Sequence, residues 1–175
     1  MAYFNNLKGA YLSLPQIDKT LSADAAATGI VRGSCIYEDA GVWKLCTTAG
    51  KADPKQYVFF ALQNFSDLTA GMAGSSGQGN AGGVPFITGF AVGNPAEIQI
   101  DQYVDAVYTI GQLLTIGATG KVGAHTSGDN CVGQVTAAAA NKWVNDAIAV
   151  TGFKTGAFLA VLTFRTLWIP RLLTA

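Results

Sequence analysis

Apolar and polar positions along the chain change character near Gly29. Before it, Tyr3, Phe4, Leu7, Tyr11, Leu12, Leu14, Ile17 and Leu21 are scattered without a sustained period, and Pro15 and the small run "SADAAATG" interrupt them. Such a stretch has no helical or strand pattern of its own, yet it carries more apolar bulk than a solvated terminus needs. Residues 1–28 therefore read as an extended arm that packs on something, another subunit included.

From Gly29 the pattern is that of strands. "GIVRGSCIY", the turn "EDAG" and "VWKLCT" give two short β-branched or aromatic runs around a glycine turn, a hairpin signature. "YVFFALQNF" is continuously apolar, as in a strand covered on both faces. "GVPFITGFAV" and "AEIQI" follow, each bounded by Gly, Asn or Pro. "DQYVDAVYTI" places Tyr103, Val104, Val107 and Tyr108 at helical spacing, but Val, Tyr and Ile favour strands, and the segment leans that way.

Between Gly111 and Thr136 the reading is a meander. "QLLTI", the turn "GATG", "KVGAHT", the turn "SGDN" and "CVGQVT" are three short strands joined by glycine turns. "AAAANKWVNDAIAV" reads as a helical turn or a loop. In "GAFLAVLTFRTLWI", Phe158, Ala160, Leu162, Phe164 and Trp168 share one face, and Leu159, Val161 and Leu167 the other. Both faces are apolar, which predicts a central strand or one covered by a partner. The whole predicts an all-β fold, a small β-barrel or sandwich over residues 29–175, with the extended N-terminal arm over 1–28.

Composition narrows the partners. Half of the 175 residues are hydrophobic, enough for a core without disulfides or metal. Eleven basic and eleven acidic residues cancel, and only 13% of the chain is charged, against roughly 25% in an average protein. That argues against nucleic acid and against a membrane surface as partners. Leu68 to Ala96 holds no charged side chain at all, so permanent protein neighbours are expected. The first twenty residues lack a signal-peptide pattern, and "TGAFLAVLTF", bounded by Lys154 and Arg165, is shorter than the roughly 20 residues of a membrane span. The expectation is a soluble, unexported chain, in which the sequon at Asn64, Phe65 and Ser66 stays unused.

Cys35, Cys46 and Cys131 form an odd set without C-x-x-C spacing, which argues against a zinc knuckle or redox pair and for buried reduced thiols. Cys35 and Cys46 flank the turn of the first hairpin. With Tyr37 opposite Val42 they are diagonal neighbours about 7 Å apart. With Asp39 opposite Val42 they are face to face. The pattern leaves both registers open.

Gly77 to Gly82 matches G-x-G-x-x-G in form, but Pro85, Phe86 and Ile87 follow where a helix is required, and no βαβ frame surrounds it. His125 with Asp129 resembles a general base and its orienting partner, yet no G-x-S-x-G supplies a nucleophile and Ser127 is too near in sequence. Asp129 fits better as the turn residue of "SGDN". Asp101 with Asp105, and Glu38 with Asp39, lack an apolar pocket that would split their pKa values. Single, scattered basic residues give no stacking platform for single strands. No catalytic, cofactor-binding or metal-binding residue is assigned, no cofactor or small-molecule substrate is expected, and the chain reads as a non-enzyme that touches other proteins.

"GIVRGSCIYEDAGVWKLCT", "YVFFALQNFSD" and "GQLLTIGATGKVGAHTSGDNCVGQV" resemble, in order and spacing, the head decoration or cement proteins of tailed bacteriophages. In that family an arginine-glycine strand leads into a hairpin. A later element of glycine, polar residue, apolar pair, turn, "GK", short strand and "SGDxxVGxV" closes the barrel. The likeness covers about Gly29 to Val135. It departs at Gln112, where many relatives carry an acidic residue, and the last forty residues follow no common pattern.

The resemblance implies a β-tulip-like structural virion protein on the capsid exterior, made in the bacterial host cytoplasm. It implies a homotrimer that cements adjacent major capsid protein subunits against the pressure of packaged DNA. The alternatives are a phage tail or connector component, and a small β-barrel ligand binder or enzyme using His125 and Asp129.

Overall fold

A computed structural model describes residues 4–9, 18–27, 29–46, 57–63, 86–93, 95–148 and 154–169. The chain is an all-β sandwich of two antiparallel sheets. Its strands are β1 (Phe4–Gly9), β2 (Asp18–Ser22), β3 (Cys35–Asp39), β4 (Val42–Leu45), β5 (Val58–Ala61) and β6 (Phe86–Ala91). They continue with β7 (Ala96–Ile100), β8 (Leu113–Ile116), β9 (Val122–Ala124), β10 (Cys131–Ile148) and β11 (Lys154–Ile169). One sheet has six strands in the order β1-β7-β11-β10-β8-β9, and the other has five in the order β2-β6-β5-β3-β4.

The first hairpin shows how local chemistry sets register. Ala40 (φ 51°) and Gly41 (φ 81°) both adopt left-handed backbone, the requirement of a two-residue hairpin turn whose twist matches its strands. That turn fixes Asp39 opposite Val42, then Glu38 opposite Trp43 and Ile36 opposite Leu45. A one-residue slip would move every side chain to the opposite face. Successive residues accordingly enter different clusters: Cys35 lies in the core between the sheets and Ile36 in a second core on the outer side.

The principal core joins Val58, Phe60 and Val92 of the five-stranded side to Ile98, Ile100, Leu114, Val132, Leu162 and Phe164 of the other. The Phe60 and Phe164 rings meet edge to face across the sandwich, 5.7 Å between centroids. The second core places Ala23, Ala27 and Ile30 against Trp43, Ala61 and Ile87. Trp43 is fully buried there, and its indole N–H donates to the Ile87 carbonyl at 2.6 Å. The five-stranded sheet is therefore covered on both faces, as the continuous apolar run of β5 predicts.

Several expectations change. Gly29 to Ser34 precede the strand as turns, with Gly33 N–H bonded to the Ala61 carbonyl at 2.7 Å, and β3 starts only at Cys35. Residues 101–112 form no strand: Tyr103 bridges to Val122 and the segment then loops over the sheet end. The alanine run after Thr136 is neither helix nor loop but continues β10, paired with β11 as far as Ile148. Alanine's helical preference is a small bias, and the pairing overrides it. β11 lies between β7 and β10 in the sheet order, the central place its two apolar faces predict.

Candidate functional site

The segment from Gly111 to Thr136 is a scaffold of turns. Gly111 N–H bonds the Val135 carbonyl at 2.8 Å and Val135 N–H the Gln112 carbonyl at 2.9 Å, closing β10 onto the approach to β8. The Gln112 side-chain oxygen accepts the Thr109 amide at 3.0 Å. A carboxylate at this position would accept the same bond. Gly120 (φ +73°) sits under Leu45, where an added Cβ would come within 2.5 Å of the leucine Cδ1. The β8–β9 turn thus packs on the opposite sheet.

His125 and Asp129 are held together mainly through backbone. His125 Nε2 lies 3.1 Å from the Asp129 main-chain oxygen, and a carboxylate oxygen of Asp129 accepts the Thr126 amide at 3.3 Å. Asp129 N–H returns to the Thr126 carbonyl at 3.0 Å, and Gly128 supplies φ +88°. This is the turn role read from "SGDN". Glu38 and Asp39, on the hairpin, pair outward: Lys19 reaches Glu38 at 2.5 Å and Lys44 reaches Asp39 at 2.6 Å. Asp39 is the first cause holding the Lys44 ammonium above its ordinary pKa. Asp101 and Asp105 lie on the irregular segment rather than on one helix face. Among the described residues no group of three or more His, Cys, Asp or Glu side chains could hold a metal ion. The glycine loop at residues 77–82 and the sequon at Asn64 fall outside the described residues.

The sequence pattern missed the most exposed apolar surface. Val107 is 91% exposed and Ile110 73%, with Val104 at 40% beside them, whereas Tyr108 between them is buried. The Tyr108 hydroxyl donates to the Val104 carbonyl at 2.7 Å, and its ring meets Tyr103 edge to face at 5.9 Å. Two tyrosines thus anchor the loop while Val107 and Ile110 stand in water. The apolar spacing in "DQYVDAVYTI" was the available signal, but spacing alone does not say which members face the core.

A second surface is the long ribbon. β7 pairs with β11 only at Leu162 to Arg165, and β8 pairs with β10 only at Gly133 and Gln134. From Ala137 to Ile148 and from Lys154 to Val161, β10 and β11 have only each other as strand partners among the described residues, with Trp143 opposite Phe158. At about 3.3 Å per residue the ribbon spans roughly 40 Å.

No protein-family model matches the chain, and no curated protein or solved structure matches it either. Among the described residues no helix is long and apolar enough to cross a membrane.

Proposed function

We propose that this chain is a structural virion protein of a tailed phage, a homotrimer that binds the outer capsid surface and cements neighbouring major capsid protein subunits. The observation that carries the reading is the ordered likeness of Gly29 to Val135 to head decoration proteins. The architecture supports it. The chain is nearly neutral, all-β, and offers an anchored apolar loop and a two-stranded ribbon, and a two-stranded ribbon is marginal in water without further cover. Clamping of this kind rests on buried area and shape and needs no catalytic group.

The test uses emptied phage heads and the purified chain. Sedimentation with heads and a trimeric mass by light scattering are expected. The substitutions Val107→Asp and Ile110→Asp should weaken head binding at least tenfold while leaving the melting curve unchanged, since both side chains are already in water. A monomer that ignores heads refutes the reading, and recovery with tails transfers the chain to a tail component. Deleting residues 1–28 is a poor test, because β1 and β2 are edge strands of the two sheets.

A further inference from the structure

We infer that Cys35 and Cys46 are a latent disulfide pair, a thiol site that locks the outermost hairpin when the chain meets an oxidant. The inference goes beyond capsid binding and does not depend on it.

The register decides it. With Asp39 opposite Val42 and Ile36 opposite Leu45, Cys35 and Cys46 are the next pair outward, and Cys46 N–H donates to the Cys35 carbonyl at 2.9 Å. Residues facing each other in a hydrogen-bonded antiparallel pair have Cα atoms about 5.5 Å apart, inside the roughly 4.4–6.8 Å window of disulfides. Their Cβ atoms, about 5.5 Å apart at the wide end that hydrogen-bonded pairs take, must close by about 1–2 Å. Both side chains belong to the same core cluster, so they point to the same face. Cys131 is outside that cluster and directs its thiol to the Gly133 carbonyl at 3.4 Å.

The three thiols are free and buried. Reaction therefore waits on local opening. β4 is the edge strand of its sheet and Cys46 is the residue just past its end, so fraying there exposes a thiol without unfolding the sandwich. With glutathione disulfide as oxidant, the Cys46 thiolate attacks one sulfur and releases one glutathione thiolate. The Cys35 thiolate then displaces the second glutathione from the mixed disulfide. Two S–H bonds and one S–S bond are lost, one protein S–S bond and two glutathione thiols form, and two electrons pass to glutathione.

The experiment incubates the full folded chain with glutathione disulfide, then denatures it and counts free thiols and intact mass. The expected result is one free thiol where there were three, the loss of two hydrogens, and a cross-linked peptide joining Cys35 to Cys46. The oxidised chain should melt about 5–10 °C higher, because the bridge closes a short loop in the unfolded chain. A Cys131→Ala chain should give the same bridge with no thiol left. Persistence of all three thiols overturns the inference, as does a bridge to Cys131 or a stable glutathione adduct on Cys46. A chain that bridges yet ignores phage heads would sink the cementing role alone.

Discussion

Gly133 has no room for a side chain between its neighbours, and Gly133→Ala is expected to destabilise the fold by about 1–2 kcal/mol. The residue is buried in β10, opposite Thr166 of β11 and Leu114 of β8. A Cβ built there would lie 2.5 Å from Phe164 Cδ2, 2.9 Å from its Cε2 and 2.8 Å from the Arg165 carbonyl oxygen. Two effects oppose each other. Alanine restricts the unfolded chain and suits a strand better, a gain of about 0.4–1 kcal/mol. Overpacking costs about 1–3 kcal/mol, and here the upper part of that range applies. The Phe164 ring is fully buried against Phe60, and the carbonyl belongs to the backbone of the neighbouring strand. Neither can yield without disturbing the inter-sheet core or the β10–β11 ladder. Urea denaturation should show a lower midpoint at unchanged slope, and the melting temperature should fall by roughly 3–8 °C. Phe164→Leu in the same chain should recover part of the loss, a non-additivity that marks the clash. A Gly133→Ala chain as stable as the parent would refute the packing argument.

Three further outcomes follow from other contacts. Ala40 is held at φ 51° in the hairpin turn, so Ala40→Asn should stabilise by about 0.5–1 kcal/mol, read as a higher melting temperature. The buried Thr166 hydroxyl accepts the Ala96 amide at 2.8 Å and donates to its carbonyl at 3.1 Å, so Thr166→Val should cost about 2–3 kcal/mol in urea titration. Burial raises the Cys35, Cys46 and Cys131 thiols above their ordinary value of 9.0. Below that value folded and unfolded chains hold the same thiol protons. Above it the unfolded chain releases protons that the folded chain keeps, so stability falls with rising pH, by up to about 1.4 kcal/mol per unit for each thiol. Denaturation midpoints at about pH 8 and about pH 10 measure this, and the bridged chain should show a shallower decline.

What was legible in the chain was local. The Ala40-Gly41 turn, the "SGDN" turn and the apolar runs of β5 and β11 each carry their signal within a few residues, so the hairpin and the all-β class followed from pattern. The meander expected after Gly111 did not form, because β8 takes both β9 and β10 as partners and stands between them. What was not legible depends on distant partners. The alanines of β10 are extended because β11 lies beside them, and Tyr103 and Tyr108 turn inward because a core is there to receive them. Val107 and Ile110 carry no mark in the sequence that separates them from buried neighbours. The register that faces Cys35 with Cys46 hung on where φ turns positive, at Ala40 as well as at Gly41. The spacing of "GATG" foretold a turn, and only the fold reveals that Gly120 must also admit Leu45 from the other sheet.

The sheet order also dictates a sequence of events during synthesis. Phe4 pairs with Ile100 and Asp18 with Phe90, so β1 and β2 have no strand partner until far more of the chain is made. At about 5–20 residues per second that interval is roughly 5–20 s. β7, the partner of β1, is itself held on its other side by β11, which ends at Ile169. The six-stranded sheet therefore cannot close until Ile169 has been made, and until then β1 stays available to a chaperone or to a sister chain.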